Sequence, residues 1–190
     1  MRLVLATHNA HKVREFGRLL PGVELVALPG DVVLPPEDGE SYAANALGKA
    51  RAAAAALGRP AIADDTGVEA VALGGTPGVR SARYAGPAAT DAENLARLRA
   101  EVPVGSGLRY VCAIAHVEPG GTERVFEGVC DGTMAPAPRG ARGFGYDPVF
   151  LPAGDHDGRT MAELEDAEKD RISHRGAAAR ALLVALATGG

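Results

Sequence analysis

Tryptophan and glutamine are absent from these 190 residues, lysine occurs three times, and aromatics make up 4%. No apolar run approaches the ~18 residues that a membrane-crossing helix needs, which speaks against a membrane span. The opening MRLVLATHNA turns polar too early for a secretory leader. Cysteine is scarce as well. Cys112 and Cys130 sit inside apolar, strand-like runs, which favours a reducing, cytoplasmic setting over a structural disulfide. There is no excess of positive charge: 20 Lys and Arg face 24 Asp and Glu, a net charge of −4. Binding along a nucleic-acid backbone needs a basic surface, so that class is excluded, while a single nucleotide as ligand is not. The hydrophobic fraction of 46% is ample for a core. At ~150 residues per domain, the length fits one domain over residues 1–190.

What is present is lopsided. The basic residues divide into seventeen Arg and only Lys12, Lys49 and Lys169. Where arginine has replaced lysine so widely, the remaining lysines mark places where a compact point charge is wanted rather than a planar fork, as around phosphate. The same three would also be unremarkable on a solvated face.

The order of patterns is that of an α/β fold with a mixed sheet. Residues 2–6 read as a buried first strand, and Val13, Phe16, Leu19 and Leu20 recur at helical spacing until Pro21-Gly22. Residues 23–28 form a second strand and residues 29–39 a loop. Residues 41–57 form an Ala-rich helix that stops at Gly58, with Pro60 just beyond. A short third strand over 61–64 runs into Asp65-Thr66-Gly67. A capping box at 90–93 opens a helix to about Glu101. Residues 108–117 and 123–129 form a hairpin across Glu118-Pro119-Gly120-Gly121-Thr122. A short strand is expected over 148–151, and a second capping box at 160–163 starts an acidic helix. The last helix is capped by Ser173 and closed by Gly189.

Four places carry chemistry. Thr7, His8, Asn9, Ala10, His11 and Lys12 lie between the first strand and helix. Helix N-terminal N–H groups and one lysine make an anion site there, although a polar strand-to-helix turn is also a commonplace. Asp64 and Asp65 are adjacent carboxylates at a strand end, and Glu37 sits in the acidic loop. Such carboxylates repel unless a cation or donors offset them, so a hard cation such as Mg²⁺ and an Asp-Gly turn both fit. Phe144, Gly145, Tyr146 and Asp147 place two aromatics among glycines, a platform for a planar ligand or a turn that fills the core. Lys169, His174 and Arg175 stand before the last helix, able to read a base edge or to decorate a helix cap.

Together the stretches THNAHK, EDGESYAANALGKA, IADDTGVEAVALGGTPGVRSARYAG, GFGYDPVF and AEKDRISHRG resemble the inosine triphosphate pyrophosphatase family. The resemblance runs from residue 7 to residue 176 and takes in all three lysines. It implies an elongated mixed β-sheet flanked by helices, with two lobes around an active cleft, usually as a homodimer. It implies Mg²⁺-dependent hydrolysis of ITP, dITP and XTP between the α- and β-phosphates, which clears deaminated purines from the nucleotide pool. By motif, Thr7 to Lys12 and Lys49 hold phosphates, while Glu37 and Asp65 bind metal with Asp64 close by. Asp65 accepts the proton of the attacking water and Thr66 touches substrate. Phe144 to Asp147 line the base pocket, with Phe144 stacking, and Lys169, His174 and Arg175 read the base.

The chain departs from the family pattern at Tyr42, usually Phe; at Ala44, often acidic; at Thr66, often Ser; and at His8, often Gly. Ala44 leaves any metal role there to Glu37 or Asp64. Two other readings remain: the related septum-formation-type pyrophosphatases for modified pyrimidine nucleotides, and a catalytically silent nucleotide-binding module. The SHR and GFGYD stretches favour the purine family over the former. Intact Asp64, Asp65 and Lys12 speak against the latter.

Overall fold

The computed structural model describes residues 1–188, so the expected closing Gly189 lies outside it. Along the chain run β1 (Arg2–Leu5), α1 (Ala10–Leu19), β2 (Glu24–Ala27), α2 (Tyr42–Leu57), β3 (Ala61–Ala70), α3 (Asp91–Glu101), β4 (Gly107–Val117), β5 (Glu123–Met134), β6 (Phe150–Pro152), α4 (Asp166–Ile172) and α5 (His174–Thr188). The strands form one six-stranded sheet in the order β2-β1-β3-β4-β5-β6. β1 pairs parallel with β2 and β3, whereas β5 and β6 pair antiparallel, so the sheet is mixed as expected. The expected turn between β4 and β5 closes with Glu118 N–H donating to the Thr122 carbonyl.

Two compact units make up the chain. The first comprises Met1–Asp65, Cys112–Gly128 and the chain from Arg175 onward; the second comprises Thr66–Val111 and Val129–His174. In the first unit the period-two alternation of the strands divides the core. Val4, Ala61, Ala63, Ala115 and Val117 share one face with Ala46, Ala50, Ala53 and Ala54 of α2. Leu3, Leu5, Ile62, Cys112 and Ile114 share the other with Phe16 and Leu20 of α1 and Ala178, Ala179 and Leu182 of α5. Ala46, Ala50, Ala53 and Ala54 give α2 a short-chained buried face toward the strands. Ser41 caps its start and Gly58, at φ 59°, ends it. The second unit has its own core, with Leu98, Tyr110, Met134, Phe150 and Met161 at its centre.

Four boundaries differ from expectation. The strand expected over 148–151 is Phe150–Pro152, because Asp147–Val149 forms a 3₁₀ turn. β3 does not end at Asp64 but continues through Asp65, Thr66 and Gly67 to Ala70, so no turn forms there. β5 extends to Met134, its side chains still alternating between exposed and buried. The capping box at Thr160 and Glu163 is present but closes only a 3₁₀ turn. Leu164 then becomes extended, and α4 starts at Asp166 under a further capping box of Glu165 and Glu168.

Candidate active site

Because β3 is a continuous strand, Asp64 and Asp65 point to opposite faces of the sheet. This is how two adjacent carboxylates avoid each other, and it gives them different surroundings. Asp64 follows Ile62 and meets α1 and α5. Asp65 follows Ala63 and meets α2.

Asp64 is 1% exposed and surrounded by cations. Lys12 Nζ lies 3.0 Å from Oδ1. Arg175 donates to Oδ2 from Nη2 at 3.1 Å and from Nε at 3.3 Å. Arg175, itself 1% exposed, also donates through Nη1 to Glu15. Burial alone would raise the Asp64 pKa, but Lys12, Arg175 and Lys49 outweigh it and hold the group well below the ordinary carboxylate range. The Asp64 backbone carbonyl is a second meeting point: Lys49 Nζ donates to it at 2.6 Å and Lys12 Nζ at 3.4 Å. Lys49 also pairs with Glu37. Its burial works against the charged form, yet Asp64, Glu37 and Asp65 raise its pKa.

Asp65 differs in kind. Its Oδ2 accepts from Asn45 Nδ2 at 2.8 Å. Burial, and then the negative charge of Glu37, push its pKa up, and the Asn45 bond with Lys49 and Lys12 only partly opposes them. Asn45 also accepts from the Gly39 N–H through Oδ1 at 2.8 Å, so one buried amide holds both the acidic loop and Asp65. In all, Glu15, Glu37, Asp64 and Asp65 are interleaved with Lys12, Lys49 and Arg175, one negative charge in excess.

A divalent cation would reverse that sign and favour a polyanion. The residues that fit one are Glu37 and Asp65, two carboxylates close enough to raise a pKa by mutual repulsion. Mg²⁺ often takes only one or two carboxylates and completes its shell with water and phosphate oxygens. Among the described residues no group of three metal-ligating side chains is present. Asp64, expected close to the metal, has Lys12 beside Oδ1 and Arg175 on Oδ2, so its negative charge is already offset by protein cations.

The turn of Thr7 to Lys12 is built from its own polar groups. Asn9 caps α1 by accepting from the His11 N–H at 2.9 Å and the Lys12 N–H at 3.4 Å, and Thr7 Oγ1 accepts from the Asn9 N–H at 3.1 Å. His8, Asn9 and Ala10 are exposed, and Arg14 contacts His11. The capping role is therefore real, and it leaves the loop at the surface.

The second unit holds the other expected group. Lys169 Nζ donates to Asp147 Oδ2 at 2.6 Å, and the Phe144 N–H donates to the same oxygen at 3.0 Å. Lys169 Nζ lies 5.5 Å from the Phe144 ring centroid. A Cβ on Gly143, whose φ is 72°, would come within 2.0 Å of Asp147 Oδ2, so only glycine permits this turn. Gly145 N–H donates to Asp91 Oδ2 at 2.9 Å. Tyr146 is a core residue, its hydroxyl donating to the Ser81 carbonyl at 2.8 Å, so of the two aromatics only Phe144 remains as a platform. His174 stacks on Tyr110 at 4.5 Å between centroids. Thr66 is half-buried within β3. Arg175, expected to read the base with Lys169 and His174, instead has Asp64 and Glu15 of the first unit as partners.

Sequence reasoning missed Glu15, Asn45 and Tyr110. Asn45 carried a local signal, since it lies one helical turn before Lys49 on α2 and faces the same way. Glu15 carried a comparable one, three residues after Lys12 on α1.

The sequence model of the Ham1 family matches residues 3–185. A dITP/XTP pyrophosphatase of Symbiobacterium thermophilum is 51% identical over 179 residues, covering 92% of this chain and 89% of the relative. A dITP/XTP pyrophosphatase of Geobacillus kaustophilus is 50% identical over 182 residues, covering 91% and 88%. The solved structure of a HAM1 protein from Coxiella burnetii superposes with a TM-score of 0.86 at 39% identity, covering 98% of each chain.

Proposed function

The chain belongs to the Ham1 family, and from that membership and its buried charge cluster we propose that it hydrolyses dITP, XTP and ITP to the nucleoside monophosphate and pyrophosphate. The observation that carries the reading is Asp65: a carboxylate oriented by Asn45, raised in pKa by burial and Glu37, and flanked by Lys49. A raised carboxylate accepts a proton near neutral pH better than an ordinary one. Relatives about half identical over most of their length bear the name dITP/XTP pyrophosphatase, which supports purine over pyrimidine substrates.

Water adds across the anhydride between the α- and β-phosphates. Its proton passes to Asp65, the anhydride bond breaks, and pyrophosphate leaves with the bridging electron pair. Lys12 and Lys49 offset the phosphate charge that would otherwise repel the nucleophile. Mg²⁺, held by Glu37 and Asp65, would supply charge neutralisation and lower the pKa of bound water. Arg175 and Glu15 fasten Asp64, which in turn fixes Lys12. Phe144 offers a face for the base, and Lys169 and His174 offer donors to the 6-oxo group that hypoxanthine and xanthine share. Adenine presents an amino donor at that position and is disfavoured.

Among the described residues no helix is long and apolar enough to cross a membrane, and both cysteines are free thiols. These support a cytoplasmic setting. The family resemblance supports a homodimer, and sedimentation at micromolar concentration is expected to give twice the monomer mass; a monomer would overturn that part. The reading itself is tested by Asp65→Asn. We expect at least a thousandfold loss of turnover with nucleotide binding retained, on the ~10²–10⁴ scale of lost general-base catalysis plus a lost metal ligand. Near-normal turnover would overturn it.

A further inference from the structure

Phe144 stands between two glycines in the left-handed region, Gly143 at φ 72° and Gly145 at φ 62°. Glycine enters that region freely and leaves it as easily, so a segment built this way does not hold its own shape. A carboxylate on each flanking peptide holds it. In the peptide before the ring, the Phe144 N–H donates to Asp147 Oδ2 at 3.0 Å. In the peptide after it, the Gly145 N–H donates to Asp91 Oδ2 at 2.9 Å, and the Phe144 carbonyl accepts from the Asp147 N–H at 3.3 Å. Two fixed peptide planes fix φ and ψ of the residue between them, and with these the direction of its Cα–Cβ bond. Asp147 belongs to the turn itself, whereas Asp91 reaches in from α3, 54 positions away. We propose that Asp91 is a positioning residue: by holding the Gly145 N–H it aims the Phe144 ring at the base of the nucleotide. This rests on the preceding reading, in which Phe144 offers a face to the base.

The anchor is itself fixed. Asp91 opens α3 directly after Thr90, whose side chain forms a capping box with Glu93. Further along the helix, Asn94 Nδ2 donates to the Ala82 carbonyl at 3.1 Å and its Oδ1 accepts from the Ala85 N–H at 2.7 Å. Leu98 then seats α3 in the core of the second unit. A carboxylate in the first helical turn is also favoured by the helix dipole, whatever it touches. The two roles separate by chemistry. The dipole needs a charge, whereas the Gly145 N–H needs only an acceptor. Asparagine keeps the acceptor and loses the charge; alanine loses both.

The test measures kcat and KM for dITP in Asp91→Ala, Asp91→Asn, Phe144→Ala and the double variant Asp91→Ala/Phe144→Ala. KM does not depend on the folded fraction of a preparation. A base platform grips substrate and transition state alike, so its misdirection is read in KM and not in kcat. Asp91→Ala is expected to raise KM about fivefold, the scale of one net hydrogen bond, with kcat within about twofold of wild type. Asp91→Asn is expected to keep the wild-type KM. Phe144→Ala is expected to raise KM about tenfold or more through lost stacking. In that background Asp91→Ala should raise it no further, because no ring is left to aim. An unchanged KM in Asp91→Ala overturns the proposal. So does an Asp91→Asn variant as impaired as Asp91→Ala, which would assign the effect to charge. Additive losses in the double variant also overturn it, since Asp91 would then act through something other than Phe144. A wild-type KM in Phe144→Ala would instead sink the reading of Phe144 as the base platform, and the proposal with it.

Discussion

Asp64 and Asp65 share a peptide bond and differ in almost everything else. Asp64 is held below the ordinary carboxylate range by Lys12, Arg175 and Lys49, so it contributes stability at neutral pH that is lost only as the pH falls toward its depressed pKa. Asp65 is raised, first by burial and then by Glu37. In metal-free protein its ionisation therefore opposes folding, and what stability it contributes at low pH is lost as pH rises through its folded pKa. Asparagine at that position keeps an acceptor for Asn45 and carries no charge. Asp65→Asn is thus expected to raise the melting temperature in EDTA at pH 8, with a smaller gain at pH 5. Calorimetry at the two pH values checks this; a variant less stable than wild type at pH 8 would mean that the site holds an ionised Asp65 comfortably without a cation. A residue that weakens the fold while serving the reaction is a common trade at active sites.

At the scale of elements, the informative event is that β3 continues through Asp65, Thr66 and Gly67. The doublet followed by glycine reads locally as a turn, because Asp and Gly favour turns. Pairing with neighbouring strands and the cations waiting on the Asp64 side override that preference. Once the strand is continuous, period two assigns each carboxylate its helix: α1 and α5 for Asp64, α2 for Asp65. The loop-to-helix motifs, the alanine face of α2 and the three lysines were legible because each is a local pattern. The partners of Arg175 were not, since Glu15 lies 160 positions away and Asp64 lies 111 away, and only the packed fold brings α1, β3 and α5 together. Removing this guanidinium takes a close cationic partner from two buried carboxylates, Glu15 and Asp64. Arg175→Ala is expected to cost about 3–5 kcal/mol, read as a lower urea midpoint with an unchanged slope. A loss under 1 kcal/mol would show that water readily replaces the guanidinium between α1 and α5.

For the whole molecule, chemistry is divided between two structural units. The first carries interleaved charge suited to a polyphosphate and a cation; the second carries a lysine, a tied carboxylate and one aromatic face suited to an oxo-purine. Neither group exceeds what many folds possess. Their joint presence in a Ham1-family chain supports a nucleotide triphosphate as the substrate. The most direct test is pyrophosphate release from ITP, dITP, XTP, GTP, ATP and dTTP, each with Mg²⁺ and with EDTA. We predict release from the first three only, as pyrophosphate and not inorganic phosphate, and abolished by EDTA. Preferential release from dTTP, or activity undiminished by EDTA, would contradict the assignment of base or of metal respectively.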